Sequence, residues 1–231
     1  MTNTDVDQAN GKNLKRGKST MSEQKQVGQL HAVVLQNLPE MTIEQRQKWS
    51  NDPKGMQEFL SGLVGSKFSE HDGGIYFTVT SNGFSGKDWI KHFNKKGVEI
   101  GNYAKQLLLS EDFKPSKKGT TSQIVVIKGE FFSDNDRITS KIREEADRRN
   151  MTKPNAEVAC LIRDLFTDDE IKAMGLSWIV TMHEPIKDSD GDPHLLSTNR
   201  NGNKSWLSTY YGPPDRRWHR GSGFAFVAPQ V

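Results

Sequence analysis

Between Trp178 and Ser197 the sequence crowds groups able to do chemistry: His183 beside Glu184, then Asp188, Asp190 and Asp192, then His194. A histidine next to a carboxylate suits general acid–base work. Aspartates at alternate positions match the first three ligands of a calcium loop. Both patterns are incomplete. Gly191 falls two residues before the glycine such a loop requires, and its twelfth position holds Asn199 in place of a bidentate glutamate. Side chains alternate along a strand, so Trp178, Val180, Met182 and Glu184 share one face and Ser177, Ile179, Thr181 and His183 the other. A bulge before Pro185 would be needed to bring His183 and Glu184 together. Asp190-Gly191 between strand-like runs signals a hairpin, because such turns want positive φ. The stretch therefore reads as a turn, with Asp188, Asp190 and Asp192 kept as disfavoured metal candidates. No catalytic residue can be named.

A second cluster follows. From Arg200 to Arg220 the cations Arg200, Lys204, Arg216, Arg217 and Arg220 face Asp215 alone, a local charge of +4. Trp206, Tyr210, Tyr211, Trp218 and His219 are interleaved with them. Guanidiniums and ammoniums hold phosphates, and bases stack on aromatic rings. The competing reading makes the tryptophans core and the arginines a solvated face. The candidate nucleic-acid-binding residues are Arg200, Lys204, Tyr210, Arg216, Arg217, Trp218, His219 and Arg220.

The elements that must position these groups follow from periodicity. Residues 1–27 are polar and basic and bury too little to order themselves. Residues 28–66 read as a helical hairpin: Thr42 with Gln45 forms a capping box, and Met56, Phe59, Leu60 and Leu63 line one helical face. Residues 67–175 alternate strand and helix, with a strand at 73–83 ended by Asn-Gly and helices around GKDWIKHFNKKG and NYAKQLLL. The run QIVVIKGEFF (123–132) is a strand apolar on both faces. Helices capped at Ser133 or Asp134 and beginning near Asn155 follow, then a capping box at Thr167–Glu170. Residues 176–231 are strand-rich, with LSWIVTMHE, a short HLLS, WLSTYY and GFAFVA separated by turn residues. The expected fold is α+β: a helical N-terminal part and a central helix pair packed on a mainly antiparallel C-terminal sheet, residues 28–231 forming one domain.

Composition sets the limits. The 231 residues carry 32 Lys and Arg against 29 Asp and Glu, a net charge of +3, which permits a polyanionic partner without requiring one. Cys160 is the single cysteine, so neither an internal disulfide nor a zinc finger can form. It lies beside an apolar helical stripe and reads as an inert, buried thiol. Apolar runs such as IVVI are far short of a membrane helix, and the first twenty residues have no apolar leader core. The expectation is a cytoplasmic protein without a cofactor. No G-x-S-x-G, H-E-x-x-H or P-loop motif occurs.

At MTKPNAEVACLIRDLF, WIVTMHEPIKDSDGDP and GFAFVAP the chain is similar to a family of uncharacterised proteins of uncultured bacteria with small genomes, over about residues 83–231. The resemblance implies no activity and brings no functional residue with it. The strand–helix–helix order from residue 123 also faintly resembles a ribbon-helix-helix repressor, except that its strand is apolar where groove-reading side chains belong. The closing Trp, Gly and Phe-Ala-Phe pattern is similar to the end of C-type-lectin-like modules, whose disulfides are absent here.

The leading expectation is a non-enzymatic macromolecule-binding protein with RNA or DNA as partner, using the basic-aromatic segment with help from Lys117, Lys118 and the basic tail. The alternative is a protein or glycan interaction module built on the C-terminal sheet. A further alternative is an enzyme with its site near His183 and Glu184.

Overall fold

The computed structural model describes residues 67–201 and 204–229 and, before them, residues 42–44, 47, 51 and 52. The chain divides into two units, Met1–Val64 and Gly65–Val231. In the first unit Ile43, Glu44 and Gln47 are helical, as the capping box at Thr42 implies; Asn51, past the expected helix end at Trp49, is helical too. The remainder of the expected hairpin, and the whole of the 1–27 tail, lie outside the described residues.

The second unit is α+β. Its strands are β1 (Ser69–His71), β2 (Gly74–Thr80), β3 (Glu99–Ile100), β4 (Thr121–Lys128), β5 (Trp178–Thr181), β6 (Ile186–Lys187), β7 (Pro193–Asn201), β8 (Lys204–Tyr211) and β9 (Ser222–Val227). Its helices are α1 (Gly86–Lys96), α2 (Asn102–Leu109), α3 (Thr139–Arg148), α4 (Glu157–Leu165) and α5 (Asp168–Ala173). One sheet runs in the order β1-β2-β4-β9-β5-β7-β8-β3, with β6 paired to the first residues of β7. All pairings are antiparallel except β5 with β9 and β3 with β8.

β4 explains why the sheet is covered on both sides. Ile124, Val125, Val126 and Ile127 are all fully buried, as four consecutive apolar residues demand when alternate side chains face opposite cores. Ile124 and Val126 join Ile75, Phe77, Ile179 and Ala225 beneath Val158 and Ile162 of α4. Along the same face Leu196 and Leu207 meet Trp89 and Phe93 of α1 and Leu107 of α2. Val125 and Ile127 point the other way, toward Val180, Phe224, Phe226 and Ile142 of α3. Each large side chain so buried contributes about 1.5–3 kcal/mol. The interior position of β4, between β2 and β9, leaves no free ribbon for a repressor-like dimer.

Several boundaries move for identifiable reasons. α3 starts at Thr139, five residues beyond Asp134, because Arg137 turns back on the preceding segment. Its Nε donates to the carbonyl of Gly129 at 2.8 Å, its Nη2 to that of Phe132 at 2.9 Å, and its Nη1 pairs with Asp134. Ile138 is extended and bridges Arg217, which delays the helix. β4 ends at Lys128 rather than 132, passing into a 3-10 turn at Gly129–Phe131. β7 extends the short HLLS to nine residues, since its full length pairs with β8. The expected box at Thr167–Glu170 does open α5; α1 is opened by a further box, Ser85 with Asp88, that was not among those expected.

Candidate functional site

The turn at 188–192 is a hairpin tip. Asp188 Oδ1 accepts the N–H groups of Asp190 at 2.9 Å and Asp192 at 3.0 Å, while Oδ2 meets His194 Nε2 at 2.9 Å. Burial raises the pKa of Asp188, but these N–H groups and His194 outweigh it and hold the carboxyl below its ordinary value. Gly191, at φ +87°, supplies the left-handed turn position. Asp190 and Asp192 face solvent. No group of three or more metal-ligating side chains exists among the described residues.

His183 and Glu184 separate as alternation implies. His183 is 1% exposed. Its Nδ1 lies 2.6 Å from the Glu184 carbonyl and its Nε2 accepts the Leu196 N–H at 2.9 Å. Both ring nitrogens are therefore spent on backbone, and burial lowers the pKa to about 4. The ring locks the β5–β6 connection to β7 and has no free nitrogen for proton transfer. Glu184 stands at the surface, its carboxylate 2.6 Å from Lys153. Cys160 is fully buried, and desolvation pushes its thiol well above the ordinary range; it is inert.

The basic-aromatic segment is built differently. Leu207 of β8 points to the core beneath α1 and α2, so Trp206, Ser208 and Tyr210 point to the opposite face. On β7 and β5 the same face carries Leu195, Ser197 and Asn199, and Trp178 and Val180, in register with them. Ser197 stands between Val180 and Ser208, and these small side chains let the larger rings meet. Trp178 lies 5.9 Å from Tyr210 and 5.6 Å from His219, centroid to centroid. Tyr210 in turn meets the edge of Trp218 at 5.6 Å. The loop after β8 brings Arg216 over this surface, its guanidinium 5.4 Å from the Trp218 ring and 5.9 Å from that of Tyr210.

The eight expected residues take different parts. Tyr210 and Arg216 are half-buried and His219 and Arg220 exposed. Burial raises the Tyr210 pKa, partly countered by Arg216. Trp218 is 6% exposed and its indole N–H donates to Thr139 Oγ1 at 3.0 Å, so it is the floor beneath Arg216 rather than a free ring. Arg217 donates to the Asp134 carbonyl at 3.1 Å. None of Arg216, Arg217 and Arg220 has a carboxylate within ion-pair distance among the described residues. Lys204 is neutralised by Glu99 of β3. The side chain of Arg200 lies outside the described residues. Lys117 and Lys118 precede β4, at the opposite end of that strand from Lys128, which pairs with Gly223 beside Ser222.

Trp178 is the residue that reading the 200–220 segment alone misses. Its signal was the alternation with Val180, which sets it on the face of Tyr210 once β5 and β8 flank β7. The face also carries buried polar atoms without a protein partner: Trp178 Nε1, Ser197 Oγ, Asn199 Oδ1, Trp206 Nε1, Arg216 Nε and Ser222 Oγ. Buried polar groups are normally paired; others without a protein partner lie elsewhere, among them Thr181 Oγ1 and Thr198 Oγ1 on the opposite face of the same strands, so these atoms do not by themselves set this surface apart. No family model, curated protein or solved structure matches the chain.

Proposed function

We propose that this protein binds single-stranded nucleic acid on the face formed by Trp178, Tyr210, His219 and the arginines at 216, 217 and 220. The observation that carries the reading is a partly open aromatic surface with the Arg216 guanidinium over it, in a loop that also carries Arg217 and Arg220, none of the three with a carboxylate partner among the described residues. Stacking on such rings contributes about 1–3 kcal/mol per base and tolerates any sequence. Guanidiniums nearby add phosphate contacts and a dependence on salt. Splayed bases of a single strand can reach a surface of this kind, whereas paired bases cannot.

The test is fluorescence anisotropy of the full chain with labelled single-stranded RNA and DNA across a salt series. Replacing Arg216, Arg217 and Arg220 together by Ala should weaken binding and reduce the slope of log K against log salt by about 2, three phosphates at roughly 0.7 each. Trp178→Ala should cost about 5- to 150-fold in affinity while leaving the slope unchanged. Wild-type affinity in the triple variant would overturn the assignment. Binding that ignores salt would redirect it to a protein or glycan partner.

A further inference from the structure

Beside the loop that carries Arg216 and Trp218, a cleft of about 370 Å³ opens between the first turn of α3 and the loops after β5 and β8. Its walls include Pro185, Pro193, Pro213 and Pro214, and its charged groups are Arg143, Lys153 and Glu184. Arg143 is the unusual member. Among the described residues Arg137, Arg149 and Arg163 are also buried or half-buried, and each has a carboxylate partner: Asp134, Glu145 and Asp168. Arg216 has the rings of Tyr210 and Trp218. Arg143 has neither. Its Nη2 donates to the His183 carbonyl at 3.1 Å, while Glu184 and Asp147 act on it only through space.

A half-buried cation without a counter-ion is costly unless something else neutralises it, and this one faces a concave, proline-walled space. We propose that the cleft is a binding site for a small organic carboxylate, its head group on Arg143 and its apolar body against the prolines. A guanidinium fork matches a carboxylate with two parallel bonds. The three charged groups sum to +1, which suits a singly charged anion over a doubly charged phosphate. The walls are rigid and apolar, which suits a flat hydrocarbon body. The start of α3 is not the anion-binding feature, because the N–H groups of Thr139 and Ser140 already donate to the carbonyls of Arg216 and Pro214. Lys153 is held by Glu184 at 2.6 Å, so the incoming anion competes with Glu184 at the rim. The proposal does not rest on the nucleic-acid reading, although Thr139 of the cleft wall also accepts the Trp218 indole N–H.

The experiment is a ¹H–¹⁵N NMR titration of the full chain with benzoate and, separately, inorganic phosphate. Benzoate should shift the amide signals of Ser140, Arg143, Lys153 and Glu184 saturably, and phosphate should do so more weakly. Arg143→Gln should weaken benzoate at least tenfold. Arg143→Lys should recover part of that loss, and an unchanged thermal midpoint in Arg143→Gln would show that the loss does not come from the structural bond to the His183 carbonyl. Glu184→Gln, which removes the competing anion while leaving Arg143 in place, should tighten binding several-fold. The proposal fails if benzoate produces no saturable shift at these residues in the wild-type chain, or if a folded Arg143→Gln variant binds it equally well. Tighter binding of phosphate at the same residues would overturn the carboxylate assignment.

Discussion

Buried polar side chains in this protein serve mainly as braces. Glu157, 1% exposed, accepts the Ser81 hydroxyl at 2.9 Å with one carboxylate oxygen and the Ser116 N–H at 2.9 Å with the other. It ties the end of β2 to the loop before β4. His183 does the same for the hairpin that follows β5, and its titration makes the role measurable. Burial is the main cause of its low pKa of about 4 against an ordinary 6.5, with Arg143 adding to it and the Glu184 carbonyl and carboxylate opposing it. Because the folded state resists the proton, the unfolded chain binds more protons between those values, and stability falls as pH drops from about 6.5 to about 4. The full difference is about 3 kcal/mol at 1.36 kcal/mol per unit. Denaturation of wild type and His183→Gln at pH 7 and pH 4.5 separates this group from the carboxylates. The wild type should lose about 2–3 kcal/mol more than the variant over that interval. Parallel losses in the two proteins would show that His183 is not held neutral.

At the scale of elements, local signals were read well and non-local ones poorly. The Thr167–Glu170 box names its helix directly, Thr167 accepting the Glu170 N–H and Glu170 returning the bond; the Ser85–Asp88 box that opens α1 is a signal of the same local kind, but it was not among the expected elements. The Asp190-Gly191 turn was equally legible, because positive φ is a property of the turn itself. The start of α3 was not, since Ser133 and Asp136 form a capping-like contact, Ser133 Oγ to Asp136 at 2.6 Å, without a helix following. What delays the helix is the long-range bridge from Ile138 to Arg217, invisible to any local pattern. Gly86 shows the same limit in a testable form. At the first position of α1 an alanine would raise helix propensity by about 1 kcal/mol. In the folded protein, however, an added Cβ would lie only 1.6 Å from the Leu108 carbonyl oxygen of α2. Gly86→Ala should therefore destabilise by about 2 kcal/mol or more, read as a fall in the denaturant midpoint. A midpoint that rises would mean α1 and α2 do not approach this closely.

The whole molecule explains why the candidate face was only half visible beforehand. Tyr210, Arg216, His219 and Arg220 are neighbours in sequence, so their charge and aromatic character could be read together. Trp178 joins them only because the sheet order places β5 beside β7, with β8 on its far side, an arrangement fixed when β9 inserts between β4 and β5. That insertion also makes β5 and β9 parallel, a long-range pairing no hairpin pattern announces. The nine strands, helices α1–α5 and three apolar clusters found among the described residues belong to the unit Gly65–Val231. A unit of that size with its own core can in principle fold alone. A chain beginning at Gly65 should therefore unfold in a single cooperative denaturant transition and retain the stacking surface. Its affinity for single-stranded oligonucleotide then separates two contributions. The tail carries Lys12, Lys15, Arg16, Lys18 and Lys25, so any phosphate contacts it makes should disappear as a lower salt slope, by roughly 0.7 per contact. Loss that persists at high salt would instead place part of the stacking surface in the first unit. A non-cooperative transition would show that residues 65–231 cannot hold the sheet alone, and would remove the structural basis for assigning the site to that unit.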